Sequence, residues 1–137
     1  MTLWQPGMLI TAGRLQDATP WVPLTSLGSY LSNAADGSSQ PMARDVFVRD
    51  EVVREFKGII NCSGGTTATY PFFAFNSAYA PSDYERNWPG AGTGPSTPFR
   101  VALLTSGTWQ LTGQASAVTS LRLDFLMIKS ATGRIPG

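Results

Sequence analysis

The stretch Val52-Val53-Arg54-Glu55-Phe56-Lys57-Gly58-Ile59-Ile60-Asn61-Cys62 decides the fold class. Taken at every second residue, Val52, Arg54, Phe56, Gly58, Ile60 and Cys62 form one face, and Val53, Glu55, Lys57, Ile59 and Asn61 form the other. A two-residue period is the pattern of a half-buried strand, so the spacing predicts a strand over 52–62. Upstream, Arg44 to Val48 is a second strand, with Arg49-Asp50-Glu51 as the connection of a hairpin. Downstream, Ser63-Gly64-Gly65 makes a turn, because paired glycines accept the positive φ that tight turns need. Thr67 to Phe75 follows as a strand in which Pro71, having no N–H, calls for an edge position or a bulge. Phe99 to Thr105, Thr108 to Gln114 after the Ser106-Gly107 turn, and Ser120 to Lys129 complete the set. The last is expected to place Leu121, Leu123, Phe125 and Met127 on one face. Short turns and no convincing helix predict an all-β protein, an antiparallel β-sandwich of jelly-roll-like form.

Composition agrees and narrows the chemistry. The chain has 137 residues, enough for one domain, with 14 glycines, 10 prolines and only 14% charged residues, a mixture poor in the residues that fill helix surfaces. Ten basic against nine acidic residues leave a net charge of +1, without the concentrated basic field that nucleic-acid binding uses, so no nucleic-acid partner is expected. There is no histidine, and Cys62 is the one cysteine. Within one chain this excludes a His-based metal site, a Ser-His-Asp triad, a Cys-His pair and an internal disulfide. No catalytic residues, metal or cofactor are therefore expected. No run of about 18 apolar residues is present and the start lacks a signal-peptide pattern, so membrane insertion is not expected either.

Residues 1–20 read as an extended arm and 21–137 as the sandwich domain. The arm carries Leu3, Trp4, Met8, Leu9, Ile10 and Leu15, an apolar load suited to docking on another chain or back over its own core. Asn76 to Pro98 reads as a long loop with a flexible tail from Gly90. Loops of that length are uncommon unless functional or mobile, and this one gathers Tyr79, Tyr84, Arg86 and Trp88, residue types that dominate binding hot spots. These side chains either contact a host or partner, or plug one end of the sandwich. Gly90-Ala91-Gly92-Thr93-Gly94 lacks the Lys-Ser/Thr and the helix of a phosphate loop. The carboxylates Asp50-Glu51 and Asp83 with Glu85 lie beside arginines and read as solvated charge, while Arg54 and Glu55, or Arg122 and Asp124, read as cross-strand ion pairs. Cys62 reads as a buried, inert thiol.

Several segments together resemble the small β-rich tail proteins and tail-fibre head domains of tailed bacteriophages that infect actinobacteria. Trp4-Gln5-Pro6-Gly7, then Thr11-Ala12-Gly13-Arg14-Leu15, is similar to the W-x-x-G, T-A-x-x-L opening of such modules. Trp21-Val22-Pro23-Leu24, Val53 to Ile60, Tyr79-Ala80-Pro81 and Ser120 to Met127 resemble the head domain's W-x-x-L start, L-x-G strand, gY-R-P loop and closing strand. Ala80 stands where that loop has Arg, and the 84–98 insertion is long. The resemblance implies a homotrimeric, non-enzymatic virion protein of the tail tip or fibre, anchored to other virion proteins by its arm. It further implies host attachment, with a cell-surface glycan as the candidate ligand. The alternatives are a capsid decoration or head-fibre protein and, from a different class, a carbohydrate-binding lectin or glycan-degrading enzyme in which Trp88 and Tyr84 stack on sugar rings.

Overall fold

The structure, a computed structural model, describes residues 18–48, 51–62, 69–94, 98–114, 116–124 and 126–136. The apolar arm residues Leu3, Trp4, Met8, Leu9, Ile10 and Leu15, the expected turns at 49–50 and 63–65, and Phe125 lie outside the described residues. Among those described there are thirteen strands and one 3-10 turn. The strands are β1 (Val22–Pro23), β2 (Gly28–Tyr30), β3 (Ala34–Asp36), β4 (Met42–Val48), β5 (Glu51–Lys57), β6 (Ile59–Cys62) and β7 (Tyr70–Phe75), then β8 (Arg86–Pro89), β9 (Gly92–Thr93), β10 (Arg100–Leu103), β11 (Thr108–Thr112), β12 (Ser120–Arg122) and β13 (Met127–Ile128). All pairings are antiparallel, and they build three sheets in the orders β1-β4-β5-β13, β2-β7-β11-β10-β8 and β3-β6-β12-β9. The protein is an all-β antiparallel sandwich, as the two-residue periods predict.

The β4–β5 hairpin forms where expected, paired from Met42↔Lys57 to Val48↔Glu51. The 52–62 run, however, is two strands in two sheets. It breaks at Gly58, whose φ of +106° is a conformation that side chains with a Cβ rarely adopt. A Cβ there would lie 2.4 Å from the Gln40 carbonyl oxygen, so steric space as well as φ demands glycine. The pivot carries the chain from the first sheet into the third while preserving the inward parity of the run: Phe56, Ile60 and Cys62 are all buried. Burial pushes the Cys62 thiol up to about 12, which keeps it protonated and inert.

Pro71 sits at a bulge. Trp109 faces Phe73 and Gln110 faces Pro71, so Phe72 is the extra residue, and β7 is an internal strand. The 120–129 run also divides, at a turn closed by the Leu126 N–H donating to the Leu123 carbonyl, 2.9 Å. That turn shifts the parity. Leu121 and Leu123 share one face, as the period predicts, and it is buried, but Leu126 and Ile128 then take the interior and Met127 faces out, 42% exposed.

Between the first and second sheets Trp109 is the centre of the core. Its ring lies 4.9 Å from Phe56, 5.3 Å from Phe72, 5.4 Å from Phe75 and 6.1 Å from Trp88. Aromatic clusters at these separations add to the burial of apolar area that drives folding. Also inside are Asp45 and Arg54, directly opposed on the hairpin and fully buried. The Arg54 guanidinium donates Nε to Asp45 Oδ1 at 2.8 Å and Nη2 to Oδ2 at 3.2 Å. It also reaches the carbonyls of Thr132 and Gly133, while the Ile135 N–H donates to Asp45 Oδ2 at 2.7 Å. On the opposite face of the hairpin Arg44 pairs with Glu55 at 3.0 Å. The expected ion pairing of Arg54 and Glu55 is thus real, each with a partner on β4. Asp124, expected to pair with Arg122, instead accepts the Gly58 N–H at 3.1 Å. At the end of the expected arm, Ala18 bridges to Val46 and the Thr19 N–H donates to the Asp45 carbonyl.

Candidate functional site

Two short strands, β8 and β9, lie within the segment from Asn76 to Pro98. β8 forms an edge of the second sheet, with Arg86 opposite Leu103 and Trp88 opposite Val101. The expected flexible tail from Gly90 contains β9, which pairs with β12. Gly92 comes so close that a Cβ would sit 2.0 Å from the Ser120 carbonyl oxygen, so this glycine serves backbone approach. Of the tail, residues 95–97 lie outside the described residues.

Strand alternation decides where the four singled-out side chains go. Arg86 and Trp88 face inward and Asn87 and Pro89 outward. Arg86, only 7% exposed, donates Nη1 to Asp83 Oδ1 at 2.7 Å and to the Tyr84 carbonyl at 2.9 Å. Its Nη2 reaches the carbonyls of Lys129 at 3.2 Å and Ser130 at 3.4 Å, stapling the segment to the chain beyond β13. The Arg86 hydrogen bond and the Tyr84 N–H together hold the Asp83 carboxyl below the usual carboxylate range. Trp88 is half-buried, packed on Trp109, with Nε1 donating to the Met127 carbonyl at 3.1 Å. Tyr79 is half-buried, its ring 5.2 Å from the Arg54 guanidinium.

Tyr84 alone of the four is exposed, at 56%. Its ring lies on the Arg86 guanidinium, 4.0 Å from centroid to Cζ, which fixes the ring without covering its outer side. Glu85 and Asn87, which follow Tyr84 in the chain, are both exposed and bonded to each other at 3.0 Å. The arrangement is an exposed aromatic platform on a buried cation, close in sequence to an exposed carboxylate–amide pair. Such a surface suits contact with a ligand that offers both C–H faces and hydroxyls. The sequence grouped the four side chains as contact or plug without separating them, and the four-residue β8 is too short for its inward residues to be told apart by period.

Among the described residues no group of three or more His, Cys, Asp or Glu side chains could hold a metal ion, and no helix is long and apolar enough to cross a membrane.

No protein-family model matches the sequence, and no curated protein matches it. Among solved structures the chain is similar to the receptor binding protein (gp15) of Listeria phage PSA, with a TM-score of 0.60 and 16% sequence identity. The similarity covers 82% of this chain and 65% of that one, so the chain spans just under two thirds of its structural neighbour. At that identity the likeness is one of fold.

Proposed function

We propose that this chain is a virion component of a tailed bacteriophage and acts at the tail in host adsorption, as a module of the tail tip or fibre. The observation that carries this reading is the fold shared with a phage receptor binding protein over 82% of the chain. The exposed Tyr84 platform supports a contact role at the outer surface. Binding is favoured over catalysis because the nearby carboxylates are engaged in structure, Asp83 by Arg86 and Glu85 by Asn87. The apolar residues Leu3, Trp4, Met8, Leu9, Ile10 and Leu15 would anchor the chain to another virion protein, and copies would associate as a trimer.

The test is competition. Cells that adsorb the parent phage are preincubated with the purified chain, and free phage are counted over time. Adsorption is expected to slow with wild-type protein. Tyr84→Ala should need roughly tenfold more protein for the same effect, the size of a lost hot spot. Adsorption unaffected by saturating wild-type protein would contradict the role.

A further inference from the structure

We propose that the cleft beside the Gly58 pivot is a binding site for an anionic carbohydrate, a sugar or polyol carrying a phosphate or carboxylate, resting on the adsorption role above for its setting. The cleft has a volume of about 410 Å³, inside the range of about 300–1,000 Å³ of small-ligand sites. Gln40, Lys57, Arg122 and Asp124 supply its polar walls, and Met42 and Ile59 an apolar patch.

Its frame is fixed by backbone hydrogen bonds. The Gly58 N–H donates to Asp124 Oδ1 at 3.1 Å, the Leu123 N–H to the Gly58 carbonyl at 3.0 Å, and the Ile59 N–H to the Ser39 carbonyl at 2.9 Å. A ligand would therefore meet walls already in place, at little ordering cost. Lys57 and Arg122 are exposed, and neither makes an ion pair among the described residues. The Lys57 ammonium rests 4.4 Å from the centroid of the Trp21 ring, which restrains it beside the cleft. Asp124 spends one carboxylate oxygen on Gly58, leaving the other as an acceptor.

These groups select a ligand class. Two cations against one partly engaged carboxylate favour an anion, and a guanidinium meets phosphate or carboxylate with two parallel hydrogen bonds. The Gln40 amide and the second Asp124 oxygen suit hydroxyls, and Met42 with Ile59 suits the C–H face of a ring. A bare inorganic anion would use the cations alone.

The experiment is a titration of the full, isotope-labelled chain with glucose 6-phosphate, glucuronate, glucose and inorganic phosphate, followed by amide chemical shifts. The two anionic sugars should give saturable shifts at Gly58, Ile59 and Arg122 with a Kd of about 1–10 mM, and glucose and phosphate should bind at least tenfold more weakly. Lys57→Ala with Arg122→Ala should abolish saturation without changing the fold by circular dichroism. Arg100→Ala, which removes an exposed cation outside the cleft, should leave binding unchanged. Absence of saturable shifts at these amides, equal affinity for inorganic phosphate, or unaltered binding by the double variant would overturn the site. Cell binding by labelled protein is scored separately. Sugar binding without cell binding upholds the cleft and sinks the adsorption role, and cell binding without sugar binding does the reverse.

Discussion

At the scale of single residues, the fully buried Arg54 and Asp45 hold the hairpin to the last described residues of the chain. An ion pair in such a place is retained because each partner satisfies the other and the surrounding backbone. Asp45→Ala leaves a guanidinium uncompensated and should cost about 3–5 kcal/mol in urea unfolding, whereas exchanging both residues for apolar ones should cost far less. Trp88 and Tyr84 separate in the same measurement. Trp88 loses contact with Trp109 and its bond to the Met127 carbonyl on truncation, so Trp88→Ala should cost about 2–3 kcal/mol, less than the ~3–5 of a fully buried aromatic. Tyr84→Ala should stay within about 0.5 kcal/mol of wild type. A Trp88→Ala variant as stable as wild type would contradict its place in the packing.

At the scale of elements, Gly58 is the position on which the fold turns. Gly58→Ala combines a φ of +106° with a Cβ 2.4 Å from the Gln40 oxygen, and should lose at least about 2 kcal/mol by thermal or chemical unfolding. The same residue explains what the sequence made legible. The 52–62 run kept its two-residue period through the pivot, because a glycine in positive φ redirects the backbone without changing which side chains face inward. The strand character and the buried set were therefore readable, but the division between two sheets was not. In 120–129 the turn at 123–126 adds residues out of period, and the prediction for Met127 failed where that for Leu121 held. Pro71 marked its bulge through its missing N–H alone. The candidate site was less legible: four residues of β8 carry too little pattern to reveal that Arg86 and Trp88 turn inward. The cleft is made by residues from distant segments that only the Gly58 pivot brings together.

At the scale of the whole molecule, the outer face of the β4–β5 hairpin mixes the Arg44–Glu55 ion pair with apolar side chains that stay partly exposed. Val46 and Val53 face each other half-buried, and Val48 and Met127 are 43% and 42% exposed. Closed association would cover such residues. Light scattering on the full chain should give about three times the 14.7 kDa chain mass, and a value of one chain mass at micromolar concentration would contradict self-association. The central claim concerns place in the particle, and it is tested most directly by labelling intact virions with gold-conjugated antibody raised against the purified chain. The account predicts gold at the distal end of the tail. Gold over the capsid, or particles that carry no label while the free protein is recognised, would contradict it.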